Sequence, residues 1–258
     1  MPSLPPALRR GRTWLIGIPV LVLLVTVVAP FVYIHFIEGP APARLTLDDA
    51  VVPTTSAATS STVGSGATTV AGAGGASSTT AAASTDDVAG SWKVTSGSQA
   101  GYRVQEVLFG QSATAVGRTT GVTGTMAITG TTVTAAKVTV DMTSVSSDRS
   151  GRDHQFQSRI MSTDQFPTAT FSLTKPIDLG SLPADGVTRT YSATGDLTLR
   201  GVTKSVTVSL SAERKSGAIV INGTIHVSFD DYDIPDASGG PASVGRSGDL
   251  ELLVVFGR

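Results

Sequence analysis

From Val88 onward the chain predicts an all-β fold, an antiparallel sheet closed into a barrel, and three observations carry that expectation. Apolar and polar residues alternate with period two through several long runs, as in strands with one buried face. Only one segment, near residues 152–161, has helical spacing. Charged residues are 15% of the chain, so its strands have little charge with which to blunt open edges, and closure is the simplest way to pair them. About eight strands fit the length, and such a barrel encloses room for one slender ligand.

Residues 1–13 form the N-terminus and carry Arg9, Arg10 and Arg12. Residues 14–37 (Trp14 to Ile37) hold no formal charge, and about 24 such residues span a bilayer core as a helix. The run is longer than the roughly 7–15 residues of a signal-peptide core, so a retained anchor is expected. The arginines before it keep the N-terminus cytoplasmic and put all that follows outside the membrane. Residues 38–87 read as an Ala/Ser/Thr/Gly-rich linker; Ala50 to Thr85 has no charge and no aromatic residue. Such a segment cannot bury enough apolar area to offset ordering entropy. As a flexible tether it would hold the next domain about 30–40 Å from the anchor. Residues 88–258 are the barrel domain.

Within that domain Ala136, Val138, Val140 and Met142 share one face, against Lys137, Thr139 and Asp141. Ala169, Phe171 and Leu173 align next, then Tyr191, Ala193, Gly195, Leu197 and Leu199, then Val206, Val208, Leu210 and Ala212. Asn222-Gly223 is a hairpin signal, yet Ile219, Ile221, Gly223, Ile225, Val227 and Phe229 keep one parity through it. One long strand is therefore expected, with the turn at Lys215-Ser216-Gly217. The final run, Leu250 to Phe256, is apolar on both faces and predicts a strand covered on each side.

Few residues invite chemistry. Cysteine is absent, which removes thiolate nucleophiles and Cys-type zinc sites. Outside the membrane segment the histidines are His154 and His226, and no nucleophile-elbow motif occurs. No enzyme, metal or cofactor is expected. The acidic run Asp230, Asp231, Asp233, Asp236 lacks the calcium-loop pattern and reads as a solvated turn. A net charge of -1 gives no basic footprint for nucleic acid.

Four blocks fall in a distinctive order: "SWKVTSGSQAGYRVQE" from Ser91, "VGRTTGVTGTM" from Val116, "RDHQFQSRIMSTDQFPTATF" from Arg152 and "ATGDLTLRGVTKSVTV" from Ala193. Together they resemble the YceI-like family of bacterial lipid- or polyisoprenoid-binding proteins. Arg200 stands where that family usually has His, and Gln99-Ala100 where many members have a His-Ser pair. The resemblance implies a lipocalin-like extended antiparallel barrel with one short helix. It also implies an envelope location and a tunnel holding an isoprenoid quinone, a polyprenyl lipid or another long chain. In the family, residues matching Arg152 and Asp153 open a short helical connection over the barrel. Phe156, Ile160 and Met161 recur at helical spacing, and Pro167 ends the segment. Arg152 and Asp153 are therefore expected as a structural brace or a headgroup contact.

The expected lipid-lining residues are those of interior parity: Val138, Val140, Met142, Phe171, Leu173, Leu197, Leu199, Val206, Val208, Ile225, Val227 and Phe229. Most are of medium size and few are aromatic, which favours a hollow interior. A rival reading is an envelope interaction module with a filled barrel and an outer apolar patch around Leu253 and Val255. An enzyme acting through Arg152, Asp153 or His154 is the third.

Overall fold

The structure, a computed structural model, describes residues 41–52, 88–240 and 242–258 together with a few isolated positions between 18 and 28. Apart from those positions the anchor expected over 14–37 lies outside the described residues, as does the linker over 53–87. Among those described, no helix is long and apolar enough to cross a membrane.

The alternating runs form strands in chain order: β1 (Gly90–Val94), β2 (Gln99–Leu108), β3 (Gln111–Thr119), β4 (Val122–Thr129), β5 (Thr132–Asp141) and β6 (Ser146–Ser147). The helix α1 (Ser150–Gln155) follows and continues as a wider turn over Phe156–Ile160. Then come β7 (Thr168–Leu173), β8 (Ile177–Asp178), β9 (Arg189–Leu199), β10 (Val202–Lys215), β11 (Ala218–Ser228), β12 (Ala242–Val244) and β13 (Ser247–Gly257). All pairings are antiparallel. Eight strands, in the order β1-β4-β5-β7-β9-β10-β11-β13, close on themselves because β1 pairs back onto β13. β2 shares that β13 edge and carries β3, β6 and β12 beyond it.

Parity governs the local result. β11 runs unbroken through Asn222-Gly223, and the turn falls at Ser216 (φ 51) and Gly217 (φ 79), the paired left-handed geometry of a two-residue hairpin. Gly195 is needed for close approach. A Cβ there would lie 2.5 Å from the Phe171 ring and from the Ser172 carbonyl. Gly195→Ala is therefore expected to force β7 and β9 apart and to destabilise the domain by roughly 1–3 kcal/mol, read as a lower urea midpoint with an unchanged slope.

The interior has two halves. At one end Trp92, Met126, Ile128, Val133, Val254 and Phe256 pack into a closed core. The Trp92 indole donates to the Val88 carbonyl at 2.8 Å, and Arg258 sits 4.6 Å over its ring. At the other end Val104, Phe156, Leu197, Leu199, Val227 and Phe229 form a second cluster beneath α1.

Residues 41–52, at the start of the segment expected as a linker, form a strap on the outside of the barrel. Leu45 and Ala50 bury themselves against Ala218, Val220, Leu253 and Val255. Asn222 donates to the Leu45 carbonyl at 2.9 Å. The outer patch expected at Leu253 and Val255 is thus covered by the chain itself, and both residues are fully buried. That cover is also why Leu250 to Phe256 is apolar on both faces.

Candidate functional site

The second interior cluster does not fill its end of the barrel: it surrounds a cavity of about 670 Å³, within the range of about 300–1,000 Å³ usual for small-molecule pockets. Along β2 the cavity is lined by Ala100, Tyr102, Val104, Glu106 and Leu108, the alternate residues that a pleated strand turns to one side. That span is about 26 Å of strand, so the space is long and slender.

Of the residues expected to line it, Val138, Val140, Met142, Phe171, Leu197, Leu199, Ile225, Val227 and Phe229 do so. The other three do not. Leu173 packs against the filled end, Val206 packs against the cluster around the cavity without lining it, and Val208 is buried but is not part of the lining. Parity assigns a residue to a face but says nothing of its height along the barrel, and only one end is hollow.

α1 closes over this end through charged contacts. Arg152 lies in the cavity lining and pairs with Glu106 at 2.8 Å and with Asp148 one helical turn earlier. Asp153 faces away from the cavity and accepts from the Ser147 backbone amide at 2.8 Å and its hydroxyl at 2.6 Å. Asp153 is thus a brace that ties α1 to β6, whereas Arg152 is both brace and wall. Glu106 was missed as a site residue. Its inward parity in β2 was the available signal, because a buried carboxylate demands a cation. Arg200, which replaces the family's usual His, donates to the Asp233 carbonyl at 2.6 Å and sits 5.7 Å over the Phe166 ring. It locks the β9–β10 turn to the segments beside it. Among the described residues no three His, Asp or Glu side chains cluster as a metal site.

Tyr102 stacks on Phe156 with ring centroids 5.1 Å apart, joining β2 to the helical segment. Burial pushes its phenol up to about 12, against a smaller opposing pull from Arg152. Between pH 10 and about 12 the unfolded chain has lost this proton while the folded one keeps it. Stability should therefore fall as pH rises through that window, by on the order of 2–3 kcal/mol. Urea midpoints measured across it check this, and Tyr102→Phe should remove this component of the fall.

Comparison with known proteins finds a family and a likeness of fold. The family described as YceI-like domain matches residues 92–256. A UPF0312 protein of Vibrio parahaemolyticus is 32% identical over 108 residues, covering 38% of this chain and 52% of the relative. The chain thus spans about half the length of that curated relative. A polyisoprenoid binding domain from Saccharophagus degradans, described as implicated in plant cell wall breakdown, is similar in structure. Its TM-score is 0.52 at 12% identity, over 65% of this chain and 97% of that one, a likeness of fold. BcnA of Burkholderia cenocepacia aligns over 60% of this chain and 95% of its own, at 17% identity and a TM-score of 0.46.

Proposed function

The chain belongs to the YceI-like family, and from that premise we propose that it is a membrane-anchored, extracytoplasmic carrier holding an isoprenoid or other long-chain lipid in its half-hollow barrel. The observation that carries the reading is the slender, largely apolar cavity of about 670 Å³ beneath α1. Affinity would come from burial of the chain at about 0.8 kcal/mol per methylene. At the helix-covered end the ligand's polar group would meet Arg152, Glu106 and Gln155. Because Arg152 already faces two carboxylates, the setting favours an uncharged, hydrogen-bonding headgroup. An isoprenoid quinone fits, and so does a polyprenyl lipid with a neutral head.

The role is passive: carriage, storage or sequestration. The anchor, the outward-facing domain and the envelope location rest on the charge and hydropathy of residues 9–37. The experiment is detergent-free purification of residues 41–258 followed by native mass spectrometry and lipid extraction. A stoichiometric isoprenoid or uptake of added quinone is expected. An empty protein that takes up neither quinone nor polyprenol refutes the reading.

A further inference from the structure

The β2–β3 hairpin tip breaks two local rules at once. Its turn residues are Phe109 (φ 51) and Gly110 (φ 78), and the first position of such a turn ordinarily holds Asn, Asp or Gly. A bulky aromatic in left-handed backbone is strained, and here it stays half exposed: Phe109 is 50% exposed and Val107 beside it 43%. A Cβ built on Gly110 would meet nothing within 4 Å, so the tip stands clear of the barrel. Between the two exposed side chains Leu108 turns inward to line the cavity, next to Glu106. The apolar tip is therefore part of the lip of the hollow end.

The strap approaches the same end. Its first residues lie highest: Arg103 donates to the Pro42 carbonyl at 2.6 Å, and Arg44 pairs with Asp249 at 2.7 Å. Leu45 then meets Asn222, which lies opposite Leu253, and Val51 reaches Gly97 beside the filled end. The strap thus descends alongside β13 from the hollow half toward the packed half. Whatever precedes Ala41 must leave from the hollow half. Ile37, where the apolar run ends, is four residues before Ala41, a reach of at most about 14 Å. From Arg103 to Phe109 is about 20 Å along β2. A reach of about 14 Å is shorter than the rise to the hairpin tip, so a membrane that receives the end of the apolar run cannot lie far above the hollow end.

Resting on the anchored-carrier reading, we propose that the β2–β3 hairpin tip is a bilayer-contact site. The strap of residues 41–52 holds the hollow half of the barrel against the membrane surface, with Phe109 and Val107 seated in the interface. The lipid then passes between the outer leaflet and the cavity without crossing water. The 35 residues of chain after the strap, from 53 to 87, do not set the distance from the membrane, because the barrel is already tied down before they begin.

The chain has no cysteine, so single labels are readily placed. The full chain is reconstituted in phosphatidylcholine vesicles bearing an acceptor on the headgroup, with a donor at Ser112→Cys beside the tip or at Ala184→Cys in the loop before β9. Energy transfer is expected to be clearly stronger from Ser112→Cys. The pair Val107→Ser and Phe109→Ser, both exposed and so tolerated by the fold, should weaken it by roughly twofold or more as the interfacial contact is lost. Leu45→Asp, which opens the strap, should bring both labels to the same weak transfer. Equal transfer from the two sites, or no change in the hairpin variant, overturns the proposal while leaving the anchor intact. A chain that washes off the vesicles at alkaline pH refutes the anchored reading, and the proposal with it.

Discussion

Val227→Trp is expected to abolish lipid uptake while leaving the domain folded. Val227 is buried, and its side chain faces the cavity from β11. An added indole enters a void there, so it largely escapes the roughly 1–3 kcal/mol that overpacking costs in a filled core. It displaces ligand instead. Loss of two to three buried methylenes, at about 0.8 kcal/mol each, is already a tenfold loss of affinity or more. The informative control is Val254→Trp at the packed end, where Val254 is 1% exposed. That change should lower stability steeply. Titration with a fluorescent isoprenoid, alongside urea unfolding of both variants, separates the outcomes. A barrel filled throughout would suffer comparably from the two substitutions and bind nothing in either.

A second large effect is expected on the outer wall. Glu251 is 3% exposed and sits among three arginines: Arg103 at 2.6 Å, Arg118 at 3.1 Å and Arg44 at 3.5 Å. Arg103 and Arg118 also donate to the strap carbonyls of Pro42 and Ala43. One carboxylate therefore organises the cations that clamp the strap. Glu251→Ala leaves the buried Arg103 guanidinium without its counter-charge, and breaking a buried pair from one side costs about 3–5 kcal/mol. The double change Arg103→Met with Glu251→Leu removes both charges and should recover much of that loss, as such replacements commonly do. Denaturant midpoints of the single and double variants check this. A single variant within about 1 kcal/mol of the parent would show that the network is mere surface decoration.

The sequence made the strands legible because their period of two is a local property. It placed β11 through Asn222-Gly223 and the turn at Ser216-Gly217, and it marked Leu250 to Phe256 as covered on both sides. It could not name the cover. Leu45 and Leu47 are short apolar signals before a long low-complexity run, and their partners lie about 170–210 residues away in β11 and β13. The Arg152–Glu106 pair, 46 residues apart, hid for the same reason: pairing across a barrel follows register, which depends on every strand between. Nor could it distinguish Leu199, on the cavity wall, from Leu173, in the packed end, since both have interior parity. Which end is hollow is decided by where Trp92 and Phe256 meet, a fact of tertiary packing.

The proposed place of the lipid chain is the hollow half of the barrel. It is tested most directly by photo-crosslinking the folded protein to a diazirine-bearing polyprenol and mapping the adducts by peptide mass spectrometry. Adducts on Phe171, Leu199, Val227 and Phe229, suppressed by excess unlabelled quinone, are the predicted result. Adducts confined to the outer surface, or none above background, would contradict it.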